Sequence, residues 1–141
     1  MVWPRGASDG FLLQEKQLKT KIKVKTPGEI HVTLVGDKGT SKTTILKSFA
    51  QDATKDLSGV FEAVSYPITI TGVKDKYILR LFDTDPDELF SRIRAITYKT
   101  TDIFVICFDL TNEDTFKNCR SWYAEVNQLS SKSPVLVRGS V

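Results

Sequence analysis

The sequence predicts an α/β domain in which a mostly parallel sheet carries helices on both faces. Three observations predict it. From residue 30 onward, short β-branched runs alternate with amphipathic stretches. The run Ile103 to Phe108 is apolar throughout, as a strand buried on both faces of a parallel sheet must be. Between the first strand and the first helix stands a turn rich in Gly, Lys and Thr.

Each element follows in order. Residues 1–28 read as an N-terminal extension and residues 29–141 as the domain. Within the extension, Asp9-Gly10 and Pro27-Gly28 punctuate a stretch that holds Phe11, Leu12, Leu13 and Leu18, spaced to form one helical face. Lysine alternates with other residues over 19–25; this run reads either as a solvated tail or edge strand, or as a polybasic segment in weak contact with anionic lipid. Ile30 to Val35 reads as a strand ending at Gly36, and Thr43 to Ala50 as a helix with Ile45, Leu46 and Phe49 on one face. Val64–Thr71 and Tyr77–Phe82 form a hairpin around Gly72. Asp87 to Thr97 reads as a helix with Leu89, Phe90, Ile93 and Ile96 on one face. Thr111 and Asn112 open another, running to Leu129, and Pro134 to Val137 starts a last strand.

Composition narrows the function classes. Twenty basic and 17 acidic residues leave a net charge of +3, too small an excess to point to nucleic acid. No apolar run has the length of a membrane span, and residues 1–10 lack the apolar core of a signal peptide. Cys107 and Cys119 have no metal-site or disulfide spacing, and Cys107 reads as a reduced core residue. A cytoplasmic setting is expected, with peripheral membrane contact if the lysine run is used. The single histidine, His31, reads as a satisfied strand residue rather than a general base, and Arg94 and Lys99 as solvated.

The chemistry concentrates at the first turn. Gly36-Asp37-Lys38-Gly39-Thr40-Ser41-Lys42-Thr43 resembles a P-loop, Gly, four residues, then Gly-Lys-Ser/Thr, with Ser41 in place of the second glycine. Such a loop aims successive backbone N–H groups and a helix N-terminus at phosphate oxygens. Taken alone, the match is also compatible with a chance Gly/Lys/Thr turn; the strand before it and the helix after it favour a phosphate site. The candidate nucleotide-binding residues are Gly36, Asp37, Lys38, Gly39, Thr40, Ser41, Lys42, Thr43 and Thr44. No catalytic residue is assigned.

Further elements agree in order along the chain. Leu81-Phe82-Asp83-Thr84 ends a strand, and Arg92 to Tyr98, Thr101 to Phe108 and Phe116 to Trp122 are closely similar to Rho and Rac proteins. The sequence over residues 30–138 is thereby identified as similar to small GTPases of the Ras superfamily, Rho/Rac branch. The resemblance implies a P-loop NTPase fold of the small-GTPase type, here lacking the last strand and helices. It implies GTP or GDP with Mg²⁺ as cofactors, Lys42 against the β- and γ-phosphates, and Thr43 and Asp83 as metal-binding residues. Effector or regulator proteins are the implied partners.

Departures from the family pattern change the expected chemistry. Lys38 replaces a loop glycine, and Asp85-Pro86-Asp87 replaces the family's Ala-Gly-Gln. Proline has no N–H to offer a terminal phosphate, and Asp87 brings a charge where the family's glutamine orients water. Like unit charges about 5 Å apart repel by roughly 3 kcal/mol at an effective dielectric near 20. Impaired or absent hydrolysis is therefore expected, either in a signalling switch or in a GTPase-shaped interaction module without specific guanine binding. In the first-switch stretch, Gly59-Val60-Phe61-Glu62 offers no threonine. The terminal Arg138-Gly139-Ser140-Val141 carries neither the guanine-reading motif nor a Cys-a-a-X prenylation site, so no lipid anchor is expected. Without a last helix, Ile30, Val32, Phe104 and Ile106 are expected to share one uncovered sheet face. The N-terminal segment or a second copy of the chain, as a homodimer, would cover it.

Overall fold

The computed structural model describes residues 28–49, 54–56, 61, 63–69, 72 and 74–140. The apolar patch at 11–18, the lysine run at 19–25 and most of the first-switch stretch lie outside the described residues.

Six strands form one sheet: β1 (Glu29–Val35), β2 (Thr54–Asp56), β3 (Ala63–Thr69), β4 (Lys76–Asp83), β5 (Ile103–Asp109) and β6 (Val135–Ser140). Their order is β2-β3-β4-β1-β5-β6. β1 runs parallel to β4 and β5, and β5 parallel to β6, while the β3–β4 hairpin and the short β2 are antiparallel. The helices are α1 (Lys42–Phe49), α2 (Ser91–Lys99), α3 (Glu113–Lys117) and α4 (Cys119–Leu129). This mixed α/β arrangement agrees with the fold expected from the sequence. β2 is an addition; its three residues, Thr-Lys-Asp, carry no apolar alternation that a sequence pattern could detect.

The sheet separates two cores. Ile30, Val32 and Leu34 of β1 pack with Ile45 and Leu46 of α1, Leu81 of β4, and Ile103 and Cys107 of β5. On the other face Val35, Phe104 and Ile106 pack with Tyr98 of α2, Cys119 and Val126 of α4, and Val137 of β6. The expectation that Ile30, Val32, Phe104 and Ile106 share an uncovered face is thus corrected twice. All four are buried, and they lie on opposite faces. Register is the reason: Val32 pairs with Ile103, so Phe104 pairs with Thr33 and points away from the α1 side.

Two helical expectations also change. The single helix over 111–129 is two, because the chain bends at Asn118 between α3 and α4. Asn112 is the N-cap of α3, its side-chain oxygen accepting from the N–H of Asp114 at 3.1 Å. Asp87 caps a 3₁₀ turn, Glu88–Phe90, before α2 begins. The stripe Leu89, Phe90, Ile93 and Ile96 does not enter the core: Leu89 is 86% exposed and Ile96 66%. The buried residues of α2 are Arg94 and Tyr98, so the reading of Arg94 as solvated is also corrected. Arg94 is 1% exposed because α4 supplies the partners a buried guanidinium needs.

Candidate functional site

The loop after β1 is built on backbone conformations that side chains resist. Gly36 has φ +144°, and a Cβ there would lie 2.3 Å from the carbonyl oxygen of Cys107, so only glycine lets the loop leave between β1 and β5. Gly39 at φ +78° and Ser41 at φ +66° turn the chain back on itself. Ser41 is the one described non-glycine residue with positive φ, at the P-loop position where glycine is usual.

Lys42 opens α1 and is buried. Its Nζ donates to the carbonyls of Gly36 at 2.8 Å and Asp37 at 2.7 Å, and to Thr40 Oγ1 at 3.3 Å. Burial lowers its pKa, while the carboxylate of Asp83 pulls the other way. Thr43 Oγ1 donates to Asp83 Oδ2 at 2.7 Å, bringing the two expected metal-binding residues together from α1 and β4. Thr40 Oγ1 donates to the carbonyl of Asp37 at 2.7 Å. A cavity of about 510 Å³ opens over this loop. Lys38, Gly39, Thr40, Ser41, Lys42, Thr43 and Thr44 line it together with Asp83, Thr84, Asp85, Phe61 and Phe90. Gly36 and Asp37 do not line it and support it from behind.

Asp37 is held from the far side. Its carboxylate accepts from Trp122 Nε1 at 2.8 Å and from Asn118 Nδ2 at 2.7 Å, tying the loop to α4. Arg94 lies over the Trp122 ring, 5.0 Å from its centroid, and its guanidinium donates to Glu125 at 2.9 Å and 3.3 Å. The remaining nitrogen donates to the carbonyls of Asp85 at 2.9 Å and Asp87 at 2.7 Å. Tyr98 donates to Glu125 Oε2 at 2.7 Å. One chain of contacts thus joins the phosphate loop, α4, α2 and the loop after β4. Sequence reasoning missed Arg94 and Glu125 because residues 31 positions apart on two helices leave no local signal. It placed Phe61 in a switch without seeing that the ring meets Phe90, with centroids 6.2 Å apart.

His31 has one partnered nitrogen: Nε2 lies 3.1 Å from Glu29 Oε2, while Nδ1 is buried with no hydrogen-bond partner. The acidic residues around Asp83 form no metal cluster among the described residues. Cys107 and Cys119 are free and buried, and burial pushes the Cys107 thiol up to about 12.

On the α1 side the donors suit a phosphate chain: Lys42, Lys38 and the N–H groups of the turn. The oxygen pair of Thr43 and Asp83 suits a hard cation such as Mg²⁺. The opposite wall does not suit a terminal phosphate, since it presents Asp85 and two phenyl rings.

A parallel sheet whose first strand runs through such a loop into a helix defines a P-loop protein. Residues 31–140 match the Ras family model, and the chain belongs to that family. It is Rho-like within it. The Rho-related GTP-binding protein RhoD of Homo sapiens is 35% identical over 114 residues, which take in 78% of this chain and 53% of that protein. The chain therefore spans about half the length of this curated relative.

Proposed function

We propose that this chain is a Rho-like guanine-nucleotide-binding protein whose output is the engagement of partner proteins, with GTP hydrolysis impaired or absent. The observation that carries the reading is a P-loop-like turn at the cavity beside a loop after β4 that lacks the glycine and glutamine usual in the family. Lys42, Thr43 and Asp83 converge at the cavity, whereas Pro86 has no N–H and Asp87 stands where glutamine is usual. The exposed Leu89 and Ile96, which flank the cavity-lining Phe90 in the chain, support an effector or regulator as partner, since exposed apolar groups mark protein contacts. Free buried cysteines fit a reducing cytoplasmic setting. No helix of the described residues is long and apolar enough to cross a membrane, and peripheral contact would rest on residues 19–25.

The test is a titration of the full chain with a fluorescent GDP analogue in Mg²⁺, beside Lys42→Ala. Loss of one ammonium from the phosphate site lowers affinity about tenfold or more. Equal binding by parent and variant removes the phosphate-site reading. A second reading, an interaction module that binds no guanine nucleotide specifically, is favoured by the acidic and aromatic wall at Asp85, Phe61 and Phe90. It predicts equal, weak binding of guanine and adenine diphosphates.

A further inference from the structure

We infer that the cavity accepts a nucleoside diphosphate and rejects the triphosphate, because the wall facing the terminal-phosphate position is acidic, aromatic and latched in place. The inference rests on the nucleotide-binding reading above and narrows it to one ligand class.

In a P-loop the lysine reaches the β- and γ-phosphates, and the metal held through the Ser/Thr hydroxyl and a carboxylate bridges the same two groups. Thr43 and Asp83, 2.7 Å apart, mark that end of the cavity. A terminal phosphate placed there draws on donors from the loop after β4, and three positions of this loop give none. Pro86 lacks an N–H. The N–H of Asp87 is already bound to Asp85 Oδ1 at 2.9 Å, and that of Leu89 to Asp87 Oδ1 at 2.9 Å. What the wall does present is the Asp85 carboxylate and the rings of Phe61 and Phe90. The carboxylate repels a phosphate dianion, and a phenyl ring can neither donate to it nor replace its water.

The loop is also not free to re-aim. The carbonyls of Asp85 and Asp87 both accept from one nitrogen of Arg94, which is 1% exposed and fixed by Glu125 and Trp122. Moving the backbone of this loop away would strip one nitrogen of a buried guanidinium of its two carbonyl acceptors. On the α1 side, by contrast, the cationic side chains of Lys38 and Lys42 line the cavity, and Lys42 meets a phosphate by exchanging its bonds to the carbonyls of Gly36 and Asp37. The diphosphate makes the favourable contacts and avoids the wall.

The experiment compares GDP with the β,γ-imido analogue of GTP, by calorimetry in Mg²⁺ on the full chain, with ³¹P spectra of the bound ligand. GDP is expected to bind tighter by about tenfold or more, the size of one like-charge contact attenuated by solvent. In Asp85→Ala and in Phe61→Ala that ratio should fall toward one through tighter triphosphate binding. Circular dichroism of each variant checks that the fold survives. Triphosphate binding as tight as diphosphate binding in the parent overturns the inference and leaves the proposed function standing. So does a ratio that neither variant changes. Failure of the parent to bind either nucleotide overturns the proposed function itself, and the inference with it.

Discussion

Position 41 holds a serine at φ +66°, a conformation that costs an L-residue about 1–2 kcal/mol. Glycine there would avoid the strain but would add unfolded-state entropy worth about 0.5–1 kcal/mol. Ser41→Gly is therefore expected to stabilise the fold by up to about 1 kcal/mol; a lower urea midpoint would contradict the strain argument. Gly36 has the opposite fate. Its Cβ would meet the Cys107 carbonyl oxygen at 2.3 Å and the backbone carbon and nitrogen of that residue at 3.2 and 3.3 Å, so nothing can yield cheaply. Gly36→Ala should cost about 2 kcal/mol or more, read by the same denaturation. Cys107 itself is chemically silent: with its thiol pushed up to about 12, iodoacetamide at pH 8 should leave it unmodified in the folded chain.

Among elements, α2 and α4 are joined by charge where most helix pairs are joined by apolar contact. Glu125 is the common acceptor, taking bonds from Arg94 and from Tyr98. Removing it leaves a buried guanidinium with only carbonyl partners, and Glu125→Ala should cost about 3 kcal/mol by urea unfolding. The same pair makes stability depend on alkaline pH. Burial, then the hydrogen bond to Glu125, raise the pKa of Tyr98 well above its ordinary 10.0. Above pH 10.0 the unfolded chain releases this proton while the folded chain keeps it. The contribution of Tyr98 is thus complete below that pH and is lost as pH rises beyond it. Between pH 10 and 11, Tyr98→Phe should flatten the fall in unfolding free energy by up to about 1.4 kcal/mol per pH unit. An identical slope in parent and variant would show that Glu125 does not hold the tyrosine proton.

For the molecule as a whole, one sheet serves two cores, and β1 and β5 send alternate side chains into each. Neither core can open without disturbing the strands of the other. Phe104→Ala, on the α4 side, should cost about 3–4 kcal/mol and should still give a single transition. Coincident unfolding curves by fluorescence and far-UV circular dichroism would confirm this; separate midpoints for the two probes would show that the faces unfold independently. Stability carried this way leaves the exposed Leu89, in the turn before α2, and Ile96 of α2 free of structural duty. Leu89→Ser with Ile96→Ser is expected to change stability by less than about 0.5 kcal/mol per site.

The strands other than β2, the hairpin and the glycine loop were legible in the chain, because each depends on periodicity or on neighbours a few residues away. Gly36 and Lys42 follow from the local demands of a tight turn between a strand and a helix. What the chain could not reveal was decided by contacts between distant segments. The apolar stripe of α2 has helical spacing whichever way it faces, and only the bond from Arg94 to Glu125 turns it outward. Val32 and Phe104 are equally apolar, and only the register of β1 against β5 places them on opposite faces. The character of the site divides in the same way. The P-loop-like turn is written in one continuous stretch, while the placement of the loop after β4 at the cavity depends on Arg94, which binds the carbonyls of Asp85 and Asp87.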